Sequence, residues 1–287
     1  MNKTITCYKY RPLYQYGEKD SKIPHPFTQS IFEKGELYYS TPKDFNDPFD
    51  CNLKLHVDNS TDEEWGTYFD DVMPNPTSPE ALVMKTEKPW RLDPEMFCNI
   101  GKSAQNVNYE QSSVLCLSKK GCSIPMFSYY ADSHRGIAFE FKFLQTEIPC
   151  GIPFGNINDR ENWYQRKVVF QDVTYHSKYP ELNFHRLRND DKTIILNTVF
   201  AKHKEWEHEA EFRIFRRGVS ASSVKFDRKI LTRVIFGCKT MDNDVALVRK
   251  WLADWSSDVV LAKAKIAKDR FELKVEDFEI VKGTIKK

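Results

Sequence analysis

Residues 205–213 read EWEHEAEFR. As an extended strand, this segment places Glu207, Glu209, Glu211 and Arg213 on one face and Trp206, His208, Ala210 and Phe212 on the other. Carboxylates two positions apart on a strand sit only ~7 Å from each other. Such crowding must be rewarded by solvent, by a cation or by a task. Burying unpaired carboxylates costs several kcal/mol per ion, so a buried cluster of them lining a cleft would imply a functional role. The same spacing also describes a solvated strand face neutralised by Arg213. A helical continuation of the preceding segment is a further option, although EFRIF alternates better as a strand.

Other stretches carry residue types that suit a site. In FNDP (45–48), Asn46 and Asp47 favour turns by bonding their own backbone, and Pro48 stiffens the exit. The segment is an ordinary loop or a rigid wall beside a pocket. ADSHRG (131–136) joins a helix to a strand, where His134 either titrates near neutral pH or caps backbone carbonyls. Spacing does not support a metal site. His203 and His208 lie i, i+5, which suits neither one helix face nor H-E-x-x-H, and Cys116, Cys122 and His134 lack zinc spacing. There is no G-x-S-x-G, and no cysteine carries a protease or redox signature. The arginines at 186, 188, 213 and 217 suggest a basic surface, with a solvated face as the simpler reading.

Composition bounds the classes available. Lys+Arg number 43 against 41 Asp+Glu, so the formal charge of +2 gives no general pull toward nucleic acid. Charged residues at 29% and hydrophobic ones at 40% describe an ordinary globular chain. Only 11 glycines occur, with no G-x-G-x-x-G or G-x-x-x-x-G-K-[ST], so any nucleotide must be held by side chains. The seven scattered cysteines, with no C-x-x-C, read as reduced thiols of a cytoplasmic protein. The first residues lack the apolar stretch of a signal peptide, and no apolar run approaches the ~20 residues of a membrane span.

The elements that must position these residues follow from periodicity. Strands are expected at 4–10, 36–40, 113–118, 136–143, 167–175, 205–213 and 233–238. Helices are expected at 27–35, closed by Gly35, at 125–134, at 190–204 and after Asp242 or Asp244. The segment 41–50 is a loop, and 145–165 a long one. Residues 58–112 read as a helical insertion, with a Thr61–Glu64 capping box and further helix starts at Ser78 and Asp93. A C-terminal helix and hairpin occupy about 241–282, and residues 1–287 form one domain. Strands and helices mix without regular alternation, which predicts an α+β fold with mixed or antiparallel sheets and flanking helices.

CYKYRPL, LYYSTPKDFNDPFD, CLS…PMFSYYADSHRGIAFEF, a VTY strand, WEHEAEFR and VIFG occur in this order, from about residue 7 to residue 238. Together they resemble the bacterial domain of unknown function 2971. Phe127 stands where that family usually has Trp, the 58–112 insertion is long, and the hairpin after residue 258 lies outside the common pattern. The family is similar in motif order to ADP-ribosyltransferase-like folds and resembles proteins of toxin and phage-defence neighbourhoods. The resemblance implies an NAD-consuming ADP-ribosyltransferase or NAD glycohydrolase, with NAD as substrate. Tyr8, Lys9, Tyr10 and Arg11 would contact NAD from the first strand, and Ser40 and Thr41 would brace the catalytic carboxylate. Phe45 or Tyr39 would stack, beside Asn46 and Asp47. Glu211 would be catalytic, Glu209 would steer water or an acceptor, and Arg213 would orient them or hold phosphate. Tyr130 and His134 complete the implied pocket. The acceptor would be a protein or nucleic acid, with a defence-system protein as a further partner and no membrane. A non-catalytic nucleotide-binding or sensor module stands as the alternative, with Glu209 and Glu211 tied up in ion pairs and no open pocket between the strands. A metal-dependent nuclease or phosphodiesterase is a third.

Overall fold

The computed structural model describes residues 4–18, 21–52, 55–56, 61–72, 111–151, 168–180, 182–183 and 191–283, with positions 79, 95, 96 and 99. The strands used below are β1 (Thr4–Arg11), β2 (Glu36–Tyr39), β3 (Ser113–Ser118), β4 (Ile137–Leu144), β5 (Val168–Asp172) and β6 (Thr174–His176). They continue with β7 (Ala201–His203), β8 (Glu211–Arg216), β9 (Ser222–Lys225), β10 (Leu231–Phe236), β11 (Val259–Ile266) and β12 (Leu273–Val281). The helices used below are α1 (Pro26–Glu33), α2 (Asp62–Val72), α3 (Ile124–Tyr130), α4 (Asp191–Thr198) and α5 (Asp242–Leu252).

Eight strands form one sheet in the order β12-β11-β10-β4-β1-β3-β8-β5. Only β10 and β11 run parallel, and α5 is the crossover that this direction requires. The fold is therefore α+β, with a mixed sheet that is mostly antiparallel and flanking helices. The period-2 pattern of the strands builds the core. Ile5, Cys7, Leu115, Leu117, Phe139, Phe141, Phe212 and Ile214 share one face. Phe32 of α1 stacks on Trp251 of α5 above that face, and Trp255 Nε1 donates to Phe32 O at 2.9 Å.

The opposite face is divided. One apolar cluster gathers Tyr10, Phe127, Ala138 and Ile235; another gathers Val114, Val169, Phe200 and Phe215. Between them lies polar ground, and the cause is visible in the strand register. Strand β1 pairs with β4 along its whole length, from Thr4↔Leu144 to Arg11↔Ile137. With β3 it shares a single pair, Tyr8↔Ser118. The residue after β2, Ser40, instead bridges to Val114, exchanging two backbone hydrogen bonds of 3.1 and 2.8 Å. The edge of β3 is thus open from Leu115 to Leu117, and a cleft forms where β1 leaves it.

Three expectations are corrected. The expected strand over 167–175 is two strands, broken at Val173, whose N–H turns to Glu211 O. The expected helix over 190–204 ends at Thr198, because β7 pairs with β6 (Lys202↔Tyr175) and that ladder outcompetes helical propensity. The expected strand over 205–213 starts only at Glu211: residues Lys204–Glu209 form a 3-10 turn, closed by Ala210 in the left-handed region at φ 43°. The Thr61–Glu64 capping box forms as expected at the start of α2. The helix starts at Ser78 and Asp93, and most of the 145–165 loop, lie outside the described residues.

Candidate active site where the sheet divides

The cleft between β1 and β3 is a pocket of about 360 Å³, within the range typical of small-molecule sites. Tyr8, Lys9, Tyr10 and Arg11 form one wall, and Cys116, Leu117, Glu211 and Arg213 form the other. The 40–50 segment closes one side with Ser40, Phe45, Asn46 and Asp50, and α3 closes another with Met126 and Tyr130.

The two glutamates singled out by spacing meet here, for a reason other than strand alternation. Ala210 reverses the backbone after the 3-10 turn, so Glu209 and Glu211 are buried while Glu207 is exposed. The turn is anchored on both sides. Ser118 Oγ donates to Glu209 O at 2.6 Å, and Glu211 N donates to Tyr175 Oη at 2.8 Å.

Each carboxylate has different partners. Glu211 is clamped by Arg213, with Nε to Oε1 at 2.9 Å and Nη2 to Oε2 at 2.8 Å. Arg213 also forks onto Asp50, with contacts of 2.8 and 2.6 Å. Lys202 Nζ sits among three carboxylates, 2.5 Å from Glu209, 3.4 Å from Glu211 and 3.5 Å from Asp50. Glu209 Oε1 accepts from Tyr130 Oη at 2.5 Å, and Asn46 Nδ2 donates to Tyr130 Oη at 3.5 Å. Burial would raise the Glu211 pKa, but Arg213 and Lys202 outweigh it and hold the carboxyl at about 2. Burial would lower Lys202; Glu211, Asp50 and Glu209 outweigh that and hold it charged. Burial pushes the Cys116 thiol well up, so it is no nucleophile at neutral pH.

The opposite wall is different. Lys9 Nζ donates to Cys116 O at 2.8 Å, across the gap where the ladder is open, and has no carboxylate partner among the described residues. Arg11 lies over Phe27 at 5.4 Å, and its buried Nε has no hydrogen-bond partner. Burial, and then Arg11, pull the Lys9 pKa down to about 8. Between pH 8 and its ordinary 10.5 the unfolded chain holds more protons at this lysine than the fold does. Its stability cost is therefore relieved as pH rises through that window.

Of the residues expected at the site, Tyr8, Lys9, Tyr10, Arg11, Ser40, Phe45, Asn46, Tyr130, Glu209, Glu211 and Arg213 line this pocket. Ser40 directs its hydroxyl to Val114 O at 3.5 Å rather than to a carboxylate. Tyr39 is elsewhere. Strand alternation turns it into the core, where its hydroxyl donates to Pro149 O and Arg216 lies over its ring. Thr41 caps the turn Pro42–Asp44. Asp47 accepts from Phe49 N at 2.9 Å and faces a second pocket. His134 stacks on Phe127 at the far end of α3, outside the cleft.

Sequence reasoning missed Lys202 and Asp50. Asp50 lies within the FNDPFD stretch, but nothing in spacing links it to Arg213. Lys202 was assigned to a helix; in β7 it is buried while its neighbours Ala201 and His203 are more exposed.

Gly136 is a tight point of the scaffold beside the cleft. A Cβ there would stand 2.3 Å from Arg11 O and 2.9 Å from Ala131. Both neighbours are backbone and cannot yield cheaply. Gly136→Ala is expected to lower the melting temperature by several degrees and to displace the end of β1 that carries Arg11. Thermal unfolding measures the first effect, and ligand affinity at the pocket the second.

Residues 126–214 match a family model described as a protein of unknown function (DUF2971). That stretch runs from α3 to β8 and includes Tyr130, Lys202, Glu209, Glu211 and Arg213, but neither β1 nor the FNDP loop. No curated protein and no solved structure matches the chain. Among the described residues, no helix is long and apolar enough to cross a membrane.

Proposed function

We propose that the cleft binds a nucleotide of the NAD type and that Glu209 faces the sugar at which it is cleaved. The observation that carries this reading is the separation of charge across one pocket. Among the described residues, Lys9 and Arg11 stand without carboxylate partners on β1, and the carboxylates stand opposite with their own cations. A ligand with phosphate at one end and ribose hydroxyls at the other suits that polarity. Phe45, Tyr10 and Tyr130 offer ring surface between them.

The two glutamates differ in free capacity. An ionised carboxylate has about four acceptor positions. Glu211 spends its positions on Arg213 Nε and Nη2, Lys202 and the Cys116 thiol. Among the described residues, Glu209 accepts from Tyr130 and Lys202. Glu209 therefore retains room for a ribose hydroxyl, and Glu211 fixes the floor beneath it. In the reaction, the bond between ribose C1 and the nicotinamide nitrogen breaks, and its electron pair leaves with nicotinamide. Glu209, bound to the ribose hydroxyl, stabilises the cationic sugar. Water or an acceptor nucleophile then adds to C1 and gives up a proton. A toxin or defence role, and an ADP-ribosyltransferase-like core, rest on the family resemblance alone.

A sensor that binds a nucleotide without turnover is the second reading, favoured by the ion-paired state of both glutamates. One experiment separates the two. The protein is incubated with NAD, and nicotinamide release is followed by chromatography while binding is followed by calorimetry. Binding with release supports the enzyme; binding without release supports the sensor; absence of NAD binding sinks both.

Lys9 sets a pH limit on this site. Its ammonium is present below about pH 8 and lost above it. Nucleotide affinity is expected to fall by up to tenfold per unit above pH 8, and Lys9→Met is expected to bind weakly with no such step. Calorimetry between pH 6.5 and 9.5 measures it.

A further inference from the structure

We propose that a second pocket, which shares only Lys202 with the lining of the carboxylate cleft, binds a nucleobase-type heteroaromatic ring. The cavity measures about 490 Å³ and lies between the 47–52 loop, the 176–180 segment and residues 197–206. Its walls include three aromatic side chains, Phe49, Tyr179 and Trp206. Phe49 is 62% exposed, an unusual position for a phenylalanine. Two carboxamides, Asn52 and Asn197, reach the same space, and neither has a hydrogen-bond partner among the described residues.

This combination selects the ligand class. Aromatic walls favour a flat ring, because stacking is worth about 1–3 kcal/mol per base. A free carboxamide presents a donor and an acceptor side by side, which matches the edge of a base and not a hydrocarbon. Exposed Lys178 at the rim suits a phosphate attached to that ring. A free nucleotide and a single strand both present such a base, with the same chemistry.

The location gives the pocket a consequence. Lys202 lines both cavities. Its Nζ lies 4.9 Å from the centre of the Trp206 ring and 2.5 Å from Glu209. A ring stacked on Trp206 would thus sit one side chain away from the carboxylate cleft.

Calorimetric titration of the full chain with adenosine, ribose 5-phosphate, AMP and a single-stranded oligodeoxyadenylate tests the assignment. Adenosine is expected to bind and ribose 5-phosphate to fail at this pocket. Trp206→Ala and Phe49→Ala are each expected to weaken adenosine about tenfold or more, while Lys9→Met, in the other cleft, leaves its affinity unchanged. Phe49 is exposed, so its truncation keeps the test sound if Trp206→Ala misfolds. Tighter binding of AMP than of the oligonucleotide assigns the source to free nucleotides, and the reverse order to a strand. No adenosine binding at millimolar concentration overturns the proposal. So does adenosine binding that Lys9→Met weakens while the two aromatic variants do not.

Discussion

Arg213→Met is expected to destabilise the fold by about 3–5 kcal/mol, the largest effect of any single substitution at the site. Arg213 is fully buried, and its guanidinium spans Glu211 on one side and Asp50 on the other. Its Nη1 also donates to Val199 O, which ties the end of α4 to the sheet. Methionine fills much of the space but strands two buried carboxylates with one cation, Lys202, between them. For a chain of this size the loss corresponds to a fall in melting temperature of about 10 °C. The pH dependence follows with a definite sign. Glu211 is held at about 2, below its ordinary 4.5, so its contribution is present above pH 4.5 and disappears as pH falls toward 2. In Arg213→Met that acid limb should flatten or reverse, because protonating Glu211 then relieves an unpaired charge. Urea unfolding at pH 3, 5 and 7 measures both effects. A variant as stable as the parent, with the same acid limb, would mean that the guanidinium does not neutralise the buried pair.

The pattern of the sheet was legible because its signal is local. SVLCLS becomes β3, Ser113–Ser118, and the alternating GIAFEFKF becomes β4. Eleven of the residues expected at the site converge on one pocket, since they lie on four segments that flank the opening between β1 and β3. What sequence could not give was the opening itself. That β1 shares only Tyr8↔Ser118 with β3 is a fact of tertiary pairing, and no local residue announces it. The same holds for EWEHEAEFR. Its spacing puts the carboxylates on one strand face; two of them do reach a cleft, but through a 3-10 turn and a left-handed alanine. Period-2 spacing predicted the right neighbours by the wrong backbone. Lys202 and Asp50 were invisible for a third reason: their role is defined by charges 7 to 163 positions away. Their burial among those charges is what turns the cluster from a solvated face into a held constellation.

Glu209→Gln is expected to lower kcat for nicotinamide release by about 100-fold or more while leaving KM nearly unchanged. The amide keeps the shape and can still accept on one atom, so ground-state binding through Lys9 and Arg11 survives. It lacks the charge that would stabilise a cationic sugar, so the loss falls on the transition state. Tyr130→Phe should cost less, because it removes one neutral donor from Glu209 Oε1 and leaves Lys202 on Oε2. Glu211→Gln should behave in the opposite way. It breaks the clamp on Arg213, so its main effect is on stability, with kcat falling only as the floor shifts. Steady-state kinetics paired with thermal unfolding separates these outcomes. A Glu211→Gln variant that folds normally and loses turnover, beside a Glu209→Gln variant that keeps it, would exchange the two roles. In that case a lone pair would have to be freed from Arg213 when the ligand enters. The buried clamp would then be a gate rather than a floor.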